Sequence, residues 1–69
     1  MDGNLYSETK FSIEYSGIDR HGIRFNRKEF YTDEADAIRE MDRLMDIEEN
    51  NVISLYDNGH VIKSFTRGY

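Results

Sequence analysis

Hydrophobic and polar positions alternate with period two early in the chain, recur at helical spacing in its middle, and return to strand-like runs near its end. Phe11, Ile13 and Tyr15 alternate with Ser12, Glu14 and Ser16, as in a strand with one buried face. Asp19-Arg20-His21-Gly22 follows, and Asp at the first position with Gly at the fourth suits a type I turn closing on a left-handed glycine. A three-residue loop there pairs Asp19 with Ile23, Gly17 with Phe25 and Tyr15 with Arg27. Phe11, Ile13, Tyr15, Ile23 and Phe25 then share one face. A loop one residue shorter or longer would turn Ile23 and Phe25 the other way, because a one-residue slip flips every side chain. Phe30 breaks parity with Phe25, so the second strand is expected to bend or end near Lys28 or Glu29.

Thr32 or Asp33 can cap a helix, with Asp33, Glu34 and Asp36 in a first turn whose dipole favours acids. Ala37, Ile38, Met41, Leu44 and Met45 fall on one stripe of a 3.6-residue period. Asn50-Asn51 is expected to end the helix, since asparagine tolerates the left-handed conformation. Val52 to Tyr56 and Val61 to Phe65 are β-rich runs on either side of Asp57-Asn58-Gly59, where Asn58-Gly59 suits a type I′ turn. The fold class is therefore α+β, with the order β-β-α-β-β: a four-stranded antiparallel sheet with one helix packed on one face. A two-residue loop in the last hairpin pairs Leu55 with Ile62 and Ile53 with Ser64 on one face, and Tyr56 with Val61 and Val52 with Phe65 on the other. Both faces are then partly apolar. The face away from the helix is either covered by the N-terminal segment or a twist of the sheet, or left as an interface.

Residues 1–10 read as a loosely ordered lead-in, with Leu5 and Tyr6 able to touch the core, and residues 11–69 as one compact domain. The chain has no proline, repeat or low-complexity stretch. At 69 residues it is near the lower limit for folding on a single core. It lacks cysteine, which removes disulfides and thiolate metal sites and suits a reducing cytoplasm, the expected compartment. No apolar run approaches the roughly 20 residues of a membrane span. Met1-Asp2-Gly3-Asn4 does not start a signal peptide.

Charge changes the picture more than composition does. Residues 1–32 net to 0, residues 33–50 carry eight acids against Arg39 and Arg43 for a net of −6, and residues 51–69 net to +1. Helix spacing sets Asp36 and Glu40, and Asp42 and Asp46, about 6 Å apart along the axis, with Glu49 extending the row. Like-charge pairs of this kind cost roughly 0.2–0.5 kcal/mol each. A helix that keeps them is explained either by solubility or by a basic partner drawn to its field. The bases Arg20, Arg24, Arg27 and Lys28 cluster in the second strand and its turn, Lys63 and Arg67 join them if the fourth strand is near, and Tyr15, Tyr31 and Tyr56 could stack on bases.

Catalytic and metal signals are weak. His21 and His60 belong to different turns without zinc-ligand spacing. Nucleophile elbows, phosphate loops and dinucleotide fingerprints are missing. Acids on a helix do not form a calcium loop, and so small a chain has little room for a pocket. No enzyme activity, cofactor or metal is expected.

A small acidic domain with these properties resembles in kind the inhibitors encoded by phages and mobile elements, such as anti-CRISPR and anti-restriction proteins. The resemblance covers size, charge and layout over residues 11–67 and no motif. Several such proteins resemble nucleic acid electrostatically, as DNA mimics, and occupy the basic channel of a host nuclease complex. The resemblance implies a protein partner with a basic surface. The first reading is thus an inhibitor that binds through Asp36, Glu40, Asp42, Asp46 and Glu49. The second is a nucleic-acid-binding module using Arg20, Arg24, Arg27 and Lys28, although direct nucleic-acid binding runs against the net charge. The third is a dimerising structural protein that buries Tyr56, Val61 and Phe65. A monomer or weak homodimer that does not enter membranes is expected.

Overall fold

The computed structural model describes residues 10–67, so all but the last residue of the lead-in expected over residues 1–10 lies outside the described residues. The elements are β1 (Phe11–Ile18), β2 (Arg24–Tyr31), α1 (Glu34–Met45), β3 (Asn50–Asp57) and β4 (His60–Thr66). The strands form one antiparallel sheet in the order β2-β1-β3-β4, and α1 packs on one face. The β-β-α-β-β order and the α+β class are as the sequence patterns predict.

The first hairpin forms as its turn chemistry dictates. Gly17 pairs with Phe25 and Tyr15 with Arg27. The Asp19 amide donates to the Ile23 carbonyl at 2.9 Å. Asp19 Oδ1 accepts from the amides of His21 and Ile23 at 2.8 and 3.0 Å, and Gly22 takes φ +81°. Two expectations fail here. Ile23 lies in the turn beyond the reach of the helix and is 61% exposed. Nor does β2 break at Lys28 or Glu29: it stays in register to Tyr31, opposite Phe11. Phe30 simply faces the other side of the sheet, opposite Ser12.

The core is built from Phe11, Ile13 and Tyr15 of β1, Ile53 and Leu55 of β3, and Ala37, Met41 and Leu44 of α1. Ile38 and Met45 flank it, half-buried. Asp33 is the N-cap by backbone geometry, without a side-chain cap bond. The helix stops at Met45, earlier than Asn50-Asn51. Asn50 instead opens β3, and its buried Nδ2 donates to the Leu44 carbonyl at 2.9 Å. Arg67 donates to the carbonyls of Met45, Ile47 and Asn50 at 2.9–3.2 Å. One cation and one amide thus occupy the carbonyl end of the helix, where positive charge is favourable.

The return from helix to sheet crosses β1 closely. The β1–β3 register shifts between Ser16 and Gly17, and a Cβ placed on Gly17 would lie 1.7 Å from the Glu49 carbonyl oxygen. Only glycine fits there.

The second hairpin turns at Asn58 (φ +54°) and Gly59 (φ +89°), the type I′ site expected, and Tyr56 pairs with Val61. The register then shifts between Leu55 and Tyr56, so Leu55 pairs with Lys63 and Ile53 with Phe65. Ile62 is the extra residue of this bulge, and a bulge reverses the parity of the strand beyond it. Phe65 therefore joins the core margin instead of the face carrying Tyr56 and Val61.

Candidate functional site

The acids expected to form one row divide into three settings. Asp36 and Glu40 lie on the flank of α1 near Tyr31. Each is paired three residues on, Asp36 with Arg39 and Glu40 with Arg43. The Arg43–Glu40 pair is two-pronged, with Nε at 3.0 Å from Oε1. This hydrogen bonding holds the Glu40 carboxyl below its usual range. Asp42 and Asp46 are exposed and turn away from that flank, since six residues rotate a helix by about 240°. Glu49 stands in the connection after the helix, half-buried, with its carbonyl over Gly17. Asp33, Glu34 and Glu48 are exposed as well, Asp33 and Glu34 at the start of α1 and Glu48 in the connection after it. These three fall outside the i, i+4 row that singles out the other five.

The flank of α1 that faces β2 covers a polar cluster that the sequence did not announce. Glu29 points to the helix side, since it pairs with Ile13. It accepts from the Tyr15 hydroxyl at 3.0 Å and the Tyr31 hydroxyl at 2.6 Å. Burial, then the Glu29 carboxylate, raises both phenols above their ordinary value, Tyr31 far above it. Two of the three tyrosines considered for base stacking are therefore held beneath the helix. Tyr56 lies on the other face, with its hydroxyl 3.3 Å from Glu14.

The basic cluster does not form one patch. Arg20 is in the turn, Arg24 and Lys28 point to the open face, and Arg27 points to the helix face, stacked over the Phe25 ring at 5.2 Å. Lys63 is on β4, at the opposite sheet edge from β2, and Arg67 is engaged at the helix terminus. His21 and His60 stand at opposite ends of the sheet, since Phe11 pairs with Asp57 while Gly17 pairs with Asn50. Among the described residues no three histidine or acidic side chains are grouped to hold a metal ion, and no helix is long and apolar enough to cross a membrane.

Surface grooves are larger than the chain length suggested. One of about 320 Å³ lies between the end of α1 and the first hairpin, lined by Tyr15, Phe25, Arg27, Arg43, Leu44 and Ile47 among others. This is at the low end of ligand-site volumes. Its Arg43 is already paired with Glu40, its Asp19 is engaged in the turn and its Asn50 is bonded to the Leu44 carbonyl, while Arg27 and Glu49 also line it. Comparison with protein families, with curated proteins and with solved structures finds no match for this chain.

Proposed function

We propose that this protein is a small non-enzymatic binding module that inhibits a basic, nucleic-acid-handling protein complex through its acidic helix. The anti-CRISPR and anti-restriction proteins are its likeness in kind. The observation that carries this reading is the distribution of charge around α1. Both arginines of the segment are bound to Asp36 and Glu40, while Asp33, Glu34, Asp42, Asp46 and Glu48 stand exposed around them. Carboxylates on a short rigid helix present negative charge at spacings that a basic groove can meet, and their field raises the association rate.

The test begins with capture of partners from the native host by the full chain, identified by mass spectrometry. The captured complex is then purified and its binding measured. The association rate should fall steeply as salt rises and the Debye length shrinks from about 30 Å at 0.01 M to about 8 Å at 0.15 M. Changing Asp36, Asp42 and Asp46 to Asn and Glu40 and Glu49 to Gln should abolish binding and leave the fold intact. Within that set, Asp42→Asn with Asp46→Asn should account for more of the loss than Asp36→Asn with Glu40→Gln, whose charges are already paired. Unchanged binding by the fivefold variant would refute the reading.

A further inference from the structure

The sheet has a face that the helix does not cover, and among the described residues every exposed large hydrophobic side chain (Ile18, Ile23, Phe30, Val52, Val61 and Ile62) belongs to the two hairpins and none to α1. The strand register orders this face into rows. Phe30, Ser12, Tyr56 and Val61 pair in succession across all four strands. The next row is Lys28, Glu14, Ser54 and Ser64, and the third is Asn26, Ser16, Val52 and Thr66. An uncovered antiparallel face is ordinarily polar. The first row departs from that rule, with Phe30 59% and Val61 57% exposed.

We infer that the open face is a homodimer interface, in which two copies pack sheet on sheet about a two-fold axis parallel to the strands. The strand order supplies the argument. Rotation about such an axis sets β2 against the partner's β4 and β1 against its β3, and keeps each row opposite its own copy. Phe30 then faces Val61 of the partner subunit, and Tyr56 lies over the partner's Ser12, which is only 8% exposed and forms the floor of the row. Lys28 faces the partner's Ser64 and Glu14 the partner's Ser54, so no like charges meet. The other two-fold, across the strands through the middle row, would oppose Glu14 to its own copy and Lys28 to its own copy. The face-to-face arrangement also leaves the acidic helices on the two outer surfaces, roughly 30 Å apart and several Debye lengths from each other. Pairing β4 edge to edge would set both helices on one side of an extended sheet. From strand spacing of about 4.8 Å and rise of about 3.4 Å per residue, the contact buries about 1,000 Å² in total. That is the lower limit for a specific interface, so a weak dimer that forms only at high protein concentration is expected. Surface of this kind is independent of the acidic helix and would serve with or without the partner proposed above.

The decisive experiment exploits the distance between Phe30 and Val61 within one chain. They lie on opposite sheet edges, three strand spacings or about 14 Å apart. In a mixture of isotope-labelled and unlabelled full-length protein, filtered NMR spectra should show contacts between the Phe30 ring and Val61 methyl groups of different molecules. Sedimentation equilibrium should show that Phe30→Lys and Val61→Glu each weaken association about 100-fold, tenfold at each of two symmetric contacts. The double variant should recover most of the loss, because the new opposite charges meet across the interface. Both positions are exposed, so unchanged circular dichroism is expected for each variant. A monomer at every concentration overturns the inference. So does a dimer that lacks the intermolecular Phe30–Val61 contacts, whether it forms through the β4 edge or around some other occupant of the face. A double variant no better than either single one overturns it as well.

Discussion

The helix-covered face and the open face of the sheet share every strand, yet they hold side chains under different constraints. Ile13, Ile53 and Leu55 are fully enclosed on the first, together with Met41 and Ala37 of the helix. On the second, Glu14, Lys28, Ser54 and Ser64 sit between an apolar row and a mostly polar one. Among the described residues the buried polar groups of the covered face are engaged: Tyr15 and Tyr31 share Glu29, and Asn50 holds the Leu44 carbonyl. The difference teaches where change is tolerated. A substitution on the covered face alters the fold, whereas the open face is free to carry recognition at little cost to stability.

The largest test of this contrast sets Met41→Asp against Phe30→Ser. Met41 is fully buried, and an unpaired carboxylate there costs several kcal/mol. A domain of this size has only about 3–10 kcal/mol in total. Met41→Asp should therefore be unfolded by circular dichroism, while Phe30→Ser should stay within about 0.5 kcal/mol of the parent in a dilute urea titration. A folded Met41→Asp protein would mean that the helix presents a different side to the sheet.

Gly17→Ala should come next. Its methyl would meet the Glu49 carbonyl, and the obstacle is backbone, so relief requires the helix-to-β3 connection to lift. A loss of about 3 kcal/mol is expected, read as a fall of more than about 12 °C in melting temperature. An unchanged melting temperature would show that the connection does not cross β1 so closely.

A smaller effect belongs to alkaline pH. Tyr15 and Tyr31 have folded-state pKa values above the unfolded value of about 10. Their contribution is complete below pH 10 and is lost as pH rises toward the folded-state values, because the unfolded chain releases those protons first. The melting temperature should decline from about pH 10 upward, and less steeply in a Tyr15→Phe/Tyr31→Phe variant than in the parent. Equal slopes would separate these phenols from the stability of the covered face.

Much of this architecture could be read from the sequence, for reasons that differ between residues. Asp19 and Gly22 declare their turn because side-chain acceptor and positive φ are local requirements. Asn58-Gly59 does so for the same reason, and the Ala37–Met45 stripe is visible through its period. The bulge at Ile62 was not legible. Val61, Ile62, Lys63, Ser64 and Phe65 fit two registers, and packing of Phe65 against the margin of the core selects one of them. Ile23 looked like a core residue because parity was right, but parity does not report how far the helix extends. The acids at positions 36, 40, 42, 46 and 49 were legible as a charged segment. Their division was not, because it depends on which arginine reaches which carboxylate and on the helix ending at Met45.

The strand order has a final consequence, for the chain entropy of folding. Each hairpin joins neighbouring strands through a loop of a few residues, whereas the centre of the sheet joins β1 to β3, where Glu14 meets Tyr56 from 42 residues away. Loop closure grows only as the logarithm of length, so doubling that separation would add about 0.6 kcal/mol. The long closure is therefore tolerable, but no short-range contact can stand in for it. β2 and β4 depend on β1 and β3 for their only strand neighbours. The non-local β1–β3 pairing, with α1 packed across it, thus joins two marginal hairpins into one cooperative domain.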